Sequence, residues 1–396
     1  MIGCTKLLCG TATVSEALKY ANAPGGEKSH LLQFSANNRP LVVWNTTNRC
    51  NLRCRHCYLE AEDRSYSDEL SSDEAREFIQ DLSVMGVPVL LFSGGEPLLR
   101  KDLIEMIEYA STLGLRPVLS SNGTLITPEK ADALKKAGIQ YIGVSIDGGP
   151  TIHDSFRCQP GSFNQAVEGI RNSLAAGIKT GIRFTVNHHN RADLEQVLDL
   201  VVKEGIPRFC MYHLVYSGRG RDMDAMDIDA SEKRELMDWL MEKTIELHRR
   251  GVEVEILTTD NHADGIKILQ KIEKSEPERA REVMQLLQMH GGCSAGTKFA
   301  NVDPRGFVHP CQFWQHYSLG NVRERKFSEI WQDPKEPLLV KLREKSNWLK
   351  GRCGDCRYNP VCGGCRIRAE AVTGDMWNAD PACYLTDQEI IGSIKE

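Results

Sequence analysis

The sequence predicts an α/β fold: a partial (β/α)6 TIM-like barrel, open on one side, followed by a smaller domain stapled by metal. Two observations carry this. Between Pro40 and Gly218 short apolar, β-branched runs alternate with helical stretches, the sign of a parallel sheet with crossover helices. From Gly291 onward cysteine, glycine and proline become dense, and four cysteines fall between Cys353 and Cys365, too many for a segment held by apolar packing alone.

Taken in order, residues 1–38 form an N-terminal appendage, with a helix starting in Ser15–Tyr20 and stopped by Pro24-Gly25-Gly26. Residues 39–225 form the barrel. Its strands are predicted at Leu41–Trp44, Val89–Phe92, Pro117–Ser120, Tyr141–Ile146, Lys179–Val186 and Phe209–Val215. Pro88 stands just before the second, where its missing N–H is tolerated. Amphipathic helices are predicted at Ser72–Met85, capped by Ser71 or Ser72, and at Lys101–Leu113, Pro128–Ala137, Phe163–Ala176 and Ala192–Glu204. Residues 226–290 read as a charged helical bridge (Ser231–Arg250, Glu278–Met289) around a short strand-like Val252–Leu257. Residues 291–396 form the cysteine-rich domain. In barrels of this kind the chemistry gathers at the C-terminal ends of the strands.

Composition narrows the class. The 396 residues are 41% hydrophobic and 26% charged, with a net charge of −5, ordinary for a soluble globular chain and unsuited to coating nucleic acid. No apolar run reaches membrane-spanning length and the first residues lack a signal-peptide core, so a cytoplasmic protein without membrane partner is expected. Its fourteen cysteines are then expected to bind metal rather than pair as disulfides. Ten lie in 50–57 and 293–383; Cys4, Cys9, Cys158 and Cys210 are scattered.

Cys50, Cys54 and Cys57 follow the first strand with the spacing Cys-x3-Cys-x2-Cys. Three thiolates so close can wrap a cuboidal 4Fe-4S cluster and leave one iron open to a ligand. A zinc knuckle completed by His56 is the alternative. With Tyr58 after the last cysteine, this pattern resembles the radical SAM superfamily over about 180 residues. The resemblance implies that the open iron binds S-adenosylmethionine (SAM), which one electron cleaves to a 5′-deoxyadenosyl radical. It further implies cofactor-binding roles for Tyr58 near the adenine, for Gly94, Gly95 and Glu96 near the methionine ammonium, and for Ser121, Asn122, Ser145, Asp147 and Arg183 near ribose or carboxylate.

The C-terminal pattern Cys353-x2-Cys356-x5-Cys362-x2-Cys365, then Cys383, preceded by Cys293 and Gly306-x4-Cys311, admits a zinc ribbon. It also resembles the SPASM/twitch type of iron–sulfur extension, departing from it in the two-residue spacing of Cys362 and Cys365. That resemblance implies one or two auxiliary 4Fe-4S clusters: Cys353, Cys356, Cys362 and Cys383 for one, Cys293, Cys311 and Cys365 for another.

Several stretches, among them Met1-Ile2-Gly3, His213 to Gly220, Val308-His309-Pro310 with Gln312-Phe313-Trp314, and Asp380 to Asp387, resemble the subgroup that trims tetrapyrrole side chains. This implies removal of acetate side chains from 12,18-didecarboxysiroheme to give Fe-coproporphyrin III in the alternative heme pathway, with ferredoxin or flavodoxin as electron donor. Tyr212, His213, His309 and Arg219 become catalytic candidates, and Arg221, Arg305, Arg366 and Arg368 candidates for the substrate carboxylates. The rivals are propionate removal in heme d1 synthesis, peptide modification, a non-enzymatic iron–sulfur carrier and a zinc-dependent nucleic-acid binder. The acidic balance opposes the last.

Overall fold

The structure is a computed structural model that describes residues 1–10 and 39–391; the helix expected at Ser15–Tyr20 lies outside the described residues. The chain enters through strand β1 (Ile2–Gly3) and the helix Cys4–Cys9. The six expected strands follow as β2 (Leu41–Asn45), β3 (Leu90–Ser93), β4 (Pro117–Ser121), β5 (Tyr141–Ser145), β6 (Thr180–Val186) and β7 (Arg208–His213). Each is hydrogen-bonded in parallel to the next. Both faces are covered, which is why the strands read as apolar runs.

The crossover helices pack on the outer face. Ser72–Met85 starts in a capping box, with Ser71 Oγ accepting the Glu74 N–H at 3.3 Å and Glu74 Oε2 accepting the Ser71 N–H at 2.8 Å. Its Ala75, Phe78, Ile79, Leu82 and Met85 are buried, the stripe a 3.6-residue period produces. Helices that were not foreseen include Pro150–Arg157 and Ala263–Ser275.

The sheet is wider than six strands. The region read as a bridge supplies β8 (Glu255–Thr259), parallel to β7 and displaced toward the C-terminus from the expected Val252–Leu257. β1 closes that edge antiparallel, Ile2 opposite Thr258. Beyond β2 the cysteine-rich region adds β9 (Phe299–Val302), parallel to β2, then antiparallel β10 (Phe307–His309) and β11 (Gly320–Asn321). The order β1-β8-β7-β6-β5-β4-β3-β2-β9-β10-β11 forms one sheet whose ends do not pair among the described residues, a barrel left open. No helix among the described residues is long and apolar enough to cross a membrane.

Candidate active site and iron–sulfur centres

Because β2 to β8 run parallel, their C-terminal ends share one rim, and the Cys50–Cys57 loop lies on it directly after β2. The loop is seated by glycine. Gly95 N donates to Thr47 O at 2.7 Å and Glu96 N to Arg49 O at 2.8 Å. A Cβ on Gly95 would stand 2.3 Å from Arg49 O, and one on Gly94, at φ +140°, 2.6 Å from Thr47 O. These glycines thus let the β3 loop approach the backbone leading into the cysteines.

Cys50 and Cys54 are buried among Leu52 and Ala61, with Cys57 against them. Burial, then the Glu96 carboxyl, pushes the Cys50 thiol up to about 12, with Cys54 and Cys57 adding to it. Donors face the sulfurs: Leu52 N–H is 3.4 Å from Cys50 Sγ, and Arg157 Nη1 is 3.4 Å from Cys54 Sγ. Three soft sulfurs in an apolar pocket, with N–H groups aimed at them, suit a 4Fe-4S cluster with one open iron. His56 stacks on Phe156, ring centroids 4.6 Å apart. Among the described residues no three His, Cys, Asp or Glu side chains converge as a single metal ion requires; a cube places each ligand on its own iron.

The C-terminal cysteines divide into two groups. Cys353, Cys356, Cys362 and Cys383 line one cavity of about 480 Å³, its mouth included. Arg352 Nη1 donates to Cys383 Sγ at 3.1 Å, Tyr358 N to Cys356 Sγ at 3.4 Å and Asp380 N to Cys353 Sγ at 3.4 Å. Cys365 does not line that cavity, which opposes a zinc ribbon built on it. Burial pushes its thiol up to about 12, and its charged neighbours include Arg368, Asp380 and Cys293. Burial also holds Cys311 well above its ordinary value against the lowering effect of the Phe313 N–H, with Cys293 and Cys365 adding to the rise. The donor sets fit one four-thiolate and one three-thiolate cluster.

The remaining expected residues fall into three classes. Some hold the rim together. Glu96 is fully buried and accepts hydrogen bonds from Leu98 N (3.2 Å), Ser121 Oγ (2.9 Å) and Asn122 N (2.8 Å); burial pushes it up to about 7. Asn122 bonds Asn51 Oδ1 at 2.9 Å and accepts from Thr124. These side chains lock the loops after β3 and β4. Asp147 faces Arg157; burial opposes its ionisation, but Arg157, His56 and His153 outweigh that and hold it low.

Others lie away from the mouth or bond within the protein. His213 Nε2 lies 2.9 Å from Asp264 Oδ2, both side chains fully buried, and Tyr384 OH donates to the other carboxylate oxygen. His309 Nδ1 donates to Tyr317 O at 2.6 Å. Arg219 braces the cysteine loop from behind, donating to Cys54 O at 2.9 Å and Ala61 O at 3.0 Å. Arg366 donates to Met376 O and Asn378 O; Arg368 is buried on Asp380. Arg305 pairs with Asp303, and Arg221 is exposed. His213, His309, Arg219 and Arg366 each keep one buried nitrogen without a hydrogen-bond partner among the described residues.

A third class stays at the mouth. Tyr58 donates to Asn45 Oδ1 at 3.0 Å and meets Phe313 edge-on at 5.3 Å. Half-buried Arg183 bonds Ser120 Oγ and stands opposite half-buried Ser145 in register. Half-buried Tyr212 is a neighbour of Arg183. Sequence reasoning missed Arg157, Arg352 and Asp260. The two arginines bond cysteine sulfurs, yet neither stands at a motif spacing; they meet their cysteines only through the fold.

The radical SAM superfamily profile matches residues 44–201, and that of the SPASM iron–sulfur cluster-binding domain matches residues 293–366. Over 98% of this chain and 99% of the relative, the sequence is 49% identical to Fe-coproporphyrin III synthase of Methanosarcina barkeri. It is 42% identical to pre-heme d1 synthase of Dinoroseobacter shibae, over 89% and 87% of the two chains. The fold is shared with Streptococcus suis SuiB bound to S-adenosylmethionine, at TM-score 0.69 and 17% identity over 88% of this chain and 78% of that one. With a three-cysteine loop on the rim of a parallel barrel and a second cysteine domain joined to the same sheet, the chain belongs to the radical SAM superfamily and carries a SPASM iron–sulfur domain.

Proposed function

We propose that this chain removes two acetate side chains from 12,18-didecarboxysiroheme to give Fe-coproporphyrin III. The observation that carries this is 49% identity, maintained over 98% of the chain, to the synthase of that product. Cys50, Cys54 and Cys57 would hold the cluster, which with SAM bound would supply the 5′-deoxyadenosyl radical. The chain's own residues then position and exclude. Arg183, half-buried on the rim beside Tyr212 and Ser145, is the cation available to a carboxylate of SAM or substrate. Tyr58 and Phe313 supply an apolar edge joining the barrel to the cysteine domain, suited to a macrocycle. Tyr212, its hydroxyl held far above its ordinary range by burial, is a neutral proton donor in that setting. The four-cysteine group, whose cavity opens outward, suits electron entry from ferredoxin or flavodoxin.

Anaerobically reconstituted protein, given reductant, SAM and didecarboxysiroheme, is expected to yield a product lighter by two acetate side chains in mass spectrometry. Substrate returned unchanged rejects the reading. Loss of propionate groups instead assigns the chain to the pre-heme d1 reaction.

A further inference from the structure

Cys293, Cys311 and Cys365 supply three sulfurs, one short of a filled cuboidal cluster. We propose that the Asp260 carboxylate is the fourth ligand of this cluster. The inference rests on the assignment of those three cysteines to one centre.

Asp260 directly follows β8, so it sits on the rim where the parallel strands end. Its backbone is left-handed, φ +67°, a conformation a non-glycine residue keeps where its surroundings fix it and which gathers at functional sites. Its Oδ2 is buried and has no hydrogen-bond partner among the described residues, while Oδ1 receives only a long contact from Thr259 Oγ1 at 3.4 Å. A buried carboxylate oxygen left bare is costly unless a cation or metal takes it.

The neighbouring cation does not take it. Arg368 donates through Nε and Nη2 to Asp380, at 3.0 and 2.9 Å, and through Nη1 to Leu214 O at 3.0 Å. Toward Asp260 it reaches only the backbone carbonyl, at 2.5 Å. Asp380 Oδ2 in turn accepts the Cys365 N–H at 2.6 Å. One guanidinium and one carboxylate therefore tie the Asp260 backbone to that of Cys365 and leave the Asp260 side chain free to point elsewhere. The charged groups acting on Cys311 are Cys293, Cys365 and Asp260. Three thiolates and one carboxylate complete a four-ligand set. An oxygen donor is harder than the three sulfurs, so its iron is the labile corner.

The test uses the full chain reconstituted with iron and sulfide, as wild type, Asp260→Asn and Asp260→Cys. Asparagine tolerates the left-handed backbone and keeps the shape while losing the anionic donor. Wild type is expected to hold about twelve irons, four per cluster. Asp260→Asn should lose about one iron per chain on mild oxidation and show the EPR signal of a three-iron cluster. The shift that SAM induces in the other cluster's spectrum should be unchanged. Asp260→Cys should restore the full count and abolish the three-iron signal. If Asp260→Asn keeps the wild-type iron content, spectra and midpoint potentials, the ligand is not Asp260 although the cluster stands. A wild type with about eight irons removes the three-cysteine cluster itself, and this inference with it, but leaves the radical SAM reading untouched.

Discussion

Arg157 ends its helix with Nη1 3.4 Å from Cys54 Sγ and its other nitrogen paired to the buried Asp147. A cationic donor on a ligand sulfur stabilises the more negative, reduced cluster and so raises its potential. Bonds to charged groups contribute about 1.5–3 kcal/mol, and for one electron a tenfold change in equilibrium is about 59 mV. Arg157→Met is therefore expected to lower the midpoint potential of the SAM-binding cluster by roughly 60 mV or more. Arg157→Lys, which keeps the charge, should recover part of it. EPR-monitored redox titration reads both, and an unmoved potential in the methionine variant removes Arg157 from this role. At this scale the sequence was legible only where spacing encodes chemistry. Three cysteines in eight positions announce a cluster on their own. His213 and Arg368 carry chemistry by type, the fold pairs them in the interior with Asp264 and Asp380, and no letter in the sequence reports burial. Asp147 and Arg157 are ten residues apart and meet because a loop and a short helix fold back.

Strands buried on both faces are visible as apolar runs, and so the six central strands of the barrel were legible to within a residue or two. β8 was misplaced because Glu253 and Glu255 interrupt its run; Glu255 is nevertheless buried, paired with Arg208 at 3.1 Å. β9, β10 and β11 are four residues or fewer, too short for a periodicity. The Gly94-Gly95 turn was legible as a site of close approach, but what it approaches, the backbone at Thr47 and Arg49, required the fold. A methyl group on Gly95 meets Arg49 O at 2.3 Å, and backbone has no rotamer with which to yield. Gly95→Ala should displace the cysteine loop at a cost of about 1–3 kcal/mol, the range for overpacking. The SAM-binding cluster should then be lost, about four irons, while the C-terminal irons remain. Iron analysis with a thermal melt checks this; full iron content with intact SAM cleavage contradicts it.

At the scale of the molecule, the barrel and the cysteine domain are coupled through several contacts, among them Tyr384 on Asp264 and Arg323 on Glu74, and two matter most here. β9 continues the sheet past β2, and Arg368 reaches from the cysteine domain to Leu214 O and Asp260 O beyond β7 and β8. The charge that makes the second link possible is Asp380: burial opposes its ionisation, but Arg368 outweighs that and holds it down to about 2. Removing one member of a buried ion pair leaves the other uncompensated, at a cost of about 3–5 kcal/mol, whereas removing both is often near neutral. Arg368→Met should accordingly destabilise the fold by that order and separate the cysteine domain from the rim. The double variant Arg368→Met, Asp380→Asn should recover most of the loss, because a neutral amide no longer needs a counter-charge. The recovery is incomplete, since the two backbone carbonyls still lack their donor. Denaturant unfolding of Arg368→Met, Asp380→Asn and the double variant measures the coupling as a double-mutant cycle. If the two substitutions instead add, the guanidinium acts through its backbone contacts alone.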